Sequence, residues 1–216
     1  EEAPELHALV SELAARADIQ KPRVYIIDLP VPNAFATGRD EAHSAVAVSR
    51  SLLQLLTPAE LRGVLAHELG HIKNRDILIS SIAATLAGAI STLAQMAYYA
   101  GMFMGGRDDE RRNPLGLIAL IIITPIMASL LHLAISRSRE LLADETGARV
   151  SGTPRELAGA LRKLHDYSTE HALPAEPKNQ ATAHLFIVNP FTPSFLMSLF
   201  STHPPLETRI ARLEKM

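Results

Sequence analysis

The chain has 216 residues, 47% of them apolar, a formal net charge of -2 and no cysteine. That length holds one moderate domain, or a soluble domain interrupted by something else. The charge balance offers no basic footprint for nucleic acid, and the lack of cysteine excludes a disulfide framework and any thiolate metal site, so a metal here must be held by His, Asp or Glu.

The opening run "EEAPELHALVSELAARA" is acidic and lacks the apolar core of a secretory signal. Residues 4–17 read as an amphipathic helix with Leu6, Leu9, Val10 and Leu13 on one side. The run "RVYIID", 23–28, is β-branched and aromatic and reads as a strand. Residues 29–49 carry two prolines and one glycine and close on the alternating "AVAVS". A small antiparallel sheet with one irregular edge is expected there. "TPAE", 57–60, is a helix start: Thr57 fits the N-cap, Pro58 the first helical position and Glu60 the capping-box acid. "TPRE", 153–156, repeats that arrangement.

Two apolar runs follow. Residues 77–106 contain no charged side chain, and neither do 113–136 unless His132 is protonated; "RDDERR", 107–112, separates them. Each run exceeds the roughly 20 residues that cross a bilayer, so a transmembrane helical hairpin over 77–136 is expected, inserted between residues 1–76 and 137–216. Small residues around Gly88 suit helix packing in lipid. A buried helical pair in a soluble core is the competing reading. His132 is either a functional group in the apolar run or a residue near the membrane boundary. His7, His43, His165, His171 and His184 belong to no complete ligand pattern. Residues 168–205 contain six prolines and resist assignment, as a long functional or mobile loop would.

The chemistry concentrates in "HELGH", 67–71. On the helix launched at Thr57, residues four apart share a face, so His67 and His71 present two imidazoles suited to adjacent corners of a tetrahedral zinc site. Glu68 lies about 100° round the helix, near enough to take a proton from a water on the metal. A third ligand is needed, and "SRSRELLADETGA", 136–148, offers Glu140 and Asp144 four residues apart. One carboxylate closes the coordination sphere while the other fixes an imidazole tautomer. The hairpin returns the chain to the side it left, which lets Glu140 meet the histidines.

"PNAFATG" at 32–38, "VLAHELGHIKNRDIL" at 64–78, "SRSRELLADETGA", "HLFIVNPF" at 184–191 and "THPPLETRI" at 202–210 resemble, in this order, motifs of the HtpX family of membrane-bound zinc metallopeptidases, related to the CAAX prenyl proteases. The resemblance spans nearly the whole chain. It implies an α+β, mostly helical, gluzincin-type domain with His67, His71 and Glu140 holding one zinc ion and Glu68 as general base. It further implies Asp144 behind the ligands, Asn33, Ala34 and Phe35 on an edge strand that holds the substrate backbone, and His203 stabilising the oxyanion. Arg209 would organise acidic groups or substrate. An edge strand can pair with an extended peptide, whereas "PNAFATG" read by itself is equally a turn. Family members carry two further spans ahead of the position of Glu1; without them in these residues, anchoring is expected to rest on the 77–136 hairpin.

The expected activity is a multi-pass zinc endopeptidase of the inner (plasma) membrane with its site facing the cytoplasm, acting in stress response and quality control on misfolded or membrane proteins. Its partners are a polypeptide substrate and the lipid bilayer. Lys73, Arg75, Arg137 and Arg139 at the open ends of the hairpin agree with that orientation. Rival readings are a processing peptidase of the prenyl-protease type, a non-catalytic zinc-stabilised membrane scaffold, and a soluble helical protein with an accidental motif.

Overall fold

A computed structural model of the chain describes residues 3–103, 114–171 and 204–216, with backbone only for 101–103 and 114–121. Helix α1 (Pro4–Ala17) begins on a proline and buries Leu6, Val10, Leu13, Ala14 and Ala17, positions that fall on one helical face. It stops where Asp18 enters the left-handed region at φ 54.

Three short strands follow: β1 (Arg23–Ile27), β2 (Ala34–Thr37) and β3 (Ala45–Ser49). The sheet is mixed, not antiparallel as expected. β3 lies in the middle, parallel to β1 and antiparallel to β2, with Arg23 opposite Ala45 and Ala34 opposite Val48. The physical reason is burial. All five residues of β3 are buried, whereas β1 and β2 are each partly exposed. The most apolar strand therefore takes the centre, and β1 and β2 become edges.

Helix α2 (Arg50–Leu55) is capped by Ser49, and α3 (Pro58–Lys73) starts with a complete capping box. Thr57 accepts from Glu60 N while the Glu60 carboxylate accepts from Thr57 N at 2.8 Å and from Lys163 Nζ at 2.7 Å. The matching expectation at Thr153 fails. Thr153 sits at ψ 65 in a two-residue link, and its N–H donates to Ser151 Oγ instead of to Glu156. Helix α4 (Asp76–Phe103) is separated from α3 by Asn74 and by Arg75, which takes a left-handed φ of 56. Helix α5 (Pro114–Ser151) runs without interruption from the second apolar run into the Glu140–Asp144 segment. Helices α6 (Pro154–Glu170) and α7 (Leu206–Leu213) complete the described chain.

The chain divides into two compact units, Glu1–Leu78 with Arg137–Met216, and Ile79–Ser136. The first has its own core, centred on Val10, Leu13, Val46, Leu65, Leu69 and Leu161. In the second, aliphatic side chains such as Leu86, Leu93, Met127 and Leu131 point outward, each more than half exposed. Among the described residues, one helix, Asp76–Ala100, is long and apolar enough to cross a membrane. The "RDDERR" connector lies outside the described residues.

Within the first unit α3 and the end of α5 touch backbone to backbone. A Cβ on Gly147 would stand 2.8 Å from His67 N and Cα, and one on Gly70 would stand 3.1 Å from Ala143 O. Small residues at these two positions let the two histidines and Glu140 approach one another. Replacing Gly147 with alanine is expected to force the helices apart and cost about 1–3 kcal/mol, read as a fall in melting temperature with loss of bound metal. An unchanged melting temperature would show that the contact is slack.

Candidate metal centre

Helix α3 carries His67, Glu68 and His71, and α5 carries Arg139, Glu140 and Asp144; α7 adds Arg209 and the first residue of α4 is Asp76. His67 Nε2 and His71 Nε2 face each other at 3.1 Å. With one Glu140 oxygen they form three donor atoms all within 4.8 Å of one another. Glu140 Oε1 lies 3.5 Å from His71 Nε2, and Oε2 lies 3.9 Å from His67 Nε2.

The far side of each ring faces a carboxylate. His71 Nδ1 is 2.7 Å from Asp76 Oδ2. His67 Nδ1 is 3.0 Å from Asp144 Oδ1, within ion-pair range, but its ring N–H is off the line of a hydrogen bond and that buried atom has no hydrogen-bond partner. With both Nδ1 atoms turned to carboxylates, both Nε2 atoms point into the space that Glu140 closes, and each becomes a metal donor once it carries no proton. The two-histidine, one-carboxylate set therefore fits a divalent metal ion.

Arg209 is almost wholly buried, 1% exposed. It grips both oxygens of Asp144, from Nε at 2.8 Å and Nη2 at 2.7 Å, and its Nη1 lies 3.3 Å from Glu140 Oε2. Burial pushes the Asp144 carboxyl up, but the Arg209 fork and His67 outweigh it and hold it down to about 2. Arg139 clamps the other end: it bonds Asp76, and its Nη2 donates to Asn74 O at 2.6 Å. Burial lowers the His71 pKa, but the Asp76 hydrogen bond and the charges of Glu140 and Glu68 raise it to about 9.

Glu68 is 4% exposed, and its Oε2 accepts from Ala36 N at 2.8 Å. Burial pushes its carboxyl above the ordinary range, against the charges of His71 and His67 and the Ala36 N–H. Ser49 N donates to Asn33 O and Phe35 stands opposite Ala47, so the backbone groups of Asn33 and Phe35 face β3. Those of Ala34 and Ala36 alternate to the other side of β2, where no strand lies among the described residues. Of the three residues named from sequence, only Ala34 thus directs its backbone outward, and Ala36 joins it.

The structure brings His67, Glu68, His71, Glu140, Asp144 and Arg209 together. His203 lies outside the described residues, as does the 184–191 motif. Among the described residues His7, His43, His165 and His171 stand apart from the cluster, and His132 belongs to the other unit. Sequence reasoning missed Asp76, Arg139 and Ala36. The available signal was a lone carboxylate in "NRD", five residues past His71 and just before the apolar run.

Metal uptake requires His71 to shed the proton that its raised pKa retains. Affinity is expected to rise with pH up to about 9, by as much as about tenfold per unit, and to release a proton at neutral pH. Asp76→Asn should move that profile to lower pH while weakening binding about 10–100-fold. Titration calorimetry in buffers of different ionisation enthalpy reads both effects; a pH-independent affinity would refute the assignment of His71.

The model of "Peptidase family M48" matches residues 1–216. A "Protease HtpX homolog" from Sulfurihydrogenibium sp. (strain YO3AOP1) is 56% identical over 223 residues, covering 100% of this chain and 75% of the relative. Another from Pyrococcus furiosus is 54% identical over 218 residues, covering 100% and 74%. Among solved structures, S. mikatae Ste24p matches with a TM-score of 0.64 at 22% identity; the match covers 99% of this chain and 51% of that one, a likeness of fold. Matched along its whole length and more than half identical to proteases of the HtpX type, the chain belongs to peptidase family M48 and is a metalloprotease.

Proposed function

We propose that the chain is a membrane-anchored zinc endopeptidase in which His67, His71 and Glu140 hold the ion and Glu68 is the general base. The observation that carries this reading is the convergence of three donor atoms within 4.8 Å, beside a buried glutamate anchored by a strand N–H. Zinc is favoured because the donors are two imidazoles and a carboxylate, the set that leaves a catalytic zinc one open position. When bound, the ion supplies Lewis-acid polarisation of water and of the substrate carbonyl.

The chain's own residues do the rest. The free edge of β2 receives the substrate as an added strand through the outward backbone groups of Ala34. Ala36 N–H holds Glu68 Oε2, which leaves Oε1 to take the proton of the attacking water and pass it to the leaving amine. Burial raises the basicity of that carboxylate, which suits it to the transfer. Arg209 holds the Asp144 carboxylate behind His67, and Arg139 bonds Asp76 behind His71, which fixes the orientation of the two imidazoles. His203 is proposed as the donor to the oxyanion.

For the membrane, support comes from the 77–136 segment. Asp76–Ala100 has a mean hydropathy of 1.9 and outward aliphatic side chains. Three hydroxyls of this segment donate to carbonyls of their own helix: Thr85 Oγ1 to Ser81 O, Thr92 Oγ1 to Gly88 O and, on α5, Ser129 Oγ to Pro125 O. A hairpin there leaves the metal site at one membrane face, on the cytoplasmic side given its flanking basic residues. Misfolded or membrane-derived polypeptides are the substrates such placement serves.

Proteolysis of an unfolded model protein by wild type and Glu68→Gln, in detergent with bound zinc quantified, tests the reading. Both are expected to hold one zinc per chain, and the variant to fall by about 100-fold or more in rate. Equal rates would remove Glu68 from its role; a zinc-loaded wild type that cuts nothing would remove the function itself.

A further inference from the structure

Beyond Ala36, β2 passes Thr37 and turns away at Gly38, whose φ of 134 and lack of a Cβ let it lie against the His43 carbonyl. That turn leaves a cavity of about 360 Å³. Thr37 and Gly38 at the end of the strand line it together with Ile72, Ile77 and Leu78, from the junction of α3 and α4. Ala42 and His71 line it too. The cavity thus shares His71 with the donor cluster and Thr37 with the strand that bears the free edge.

We propose that this cavity receives an apolar side chain of the polypeptide substrate, from a residue beside the cleaved bond, and so sets the sequence preference of the peptidase. The inference rests on the reading of β2 as the substrate-binding edge. A peptide extended along that edge turns every second side chain to the same face, and the one pairing past Ala36 meets the cavity. Its size accommodates leucine, methionine or phenylalanine. Ile77 and Leu78 are 36% and 46% exposed, aliphatic surface that such a side chain would cover. Of the charged side chains around it, Arg39 pairs with Asp40 at 3.3 Å, and Arg75 and Glu41 are opposite in sign.

The test is a peptide series on one scaffold, varied singly at each position around the cut, with the full 216-residue chain in detergent and bound metal quantified. At one position the wild type should favour Leu, Met or Phe over Asp, Lys or Gly by about tenfold or more in kcat/KM. Ala42→Phe fills the cavity and should abolish that preference, with kcat/KM for the Leu, Met and Phe peptides falling to the level of the Gly peptide. Leu78→Ala enlarges it and should shift the optimum at the same position toward Trp, an arm that stands even if Ala42→Phe fails to fold. A preference unaltered in metal-loaded Leu78→Ala overturns the inference and leaves the peptidase reading intact. Absence of any cleavage by the metal-loaded wild type removes both.

Discussion

Four carboxylates, Glu68, Asp76, Glu140 and Asp144, are buried around two imidazoles, and the rest of the first unit is arranged to make that tolerable. Buried charges demand partners. Two guanidiniums, Arg139 and Arg209, answer them, one at each flank. The same electrostatics keeps His71 protonated in the metal-free site and readies it to exchange a proton for metal.

Holding so many like charges together requires a frame that cannot relax. The capping box at Thr57 fixes where α3 begins, and Lys163 of α6 ties Glu60 down from outside. Gly70 and Gly147 then remove the bulk that would hold α3 and α5 apart. Arg209 reaches the site from α7 and grips Asp144, so α5 and α7 are joined through one fully buried fork. The sheet contributes through its edge. Because β3 is buried and central, β2 has no strand on its other side among the described residues, and that side meets Glu68 through Ala36.

Charge, edge and cavity therefore meet at His71, which belongs to the donor cluster and lines the cavity, and at Thr37 of β2. A peptide laid on β2 would pass the general base and then the apolar hollow under Ile77 and Leu78. Those two residues also open the helix Asp76–Ala100, so the hollow that would select a substrate side chain is built from the same oily sequence that would enter the bilayer.

The sequence by itself determined the parts that depend on local spacing. Helical period puts His67 and His71 on one face, and the Thr57–Glu60 pairing caps the helix that carries them, because both are interactions between residues three or four apart. The α1 face and the apolar character of 77–106 follow from composition and period in the same way. Strand order was not legible, since nothing local tells β1 to run parallel to β3; burial of the whole β3 strand decided it. The cap expected at Thr153 failed for a tertiary reason, the short link after α5. Asp76, Arg139 and Ala36 read as ordinary turn, helix and strand residues. Only the folded chain brings a carboxylate to His71, a guanidinium to that carboxylate and a backbone N–H to Glu68, because each contact spans elements whose approach is set by core packing and by glycines that carry no side chain.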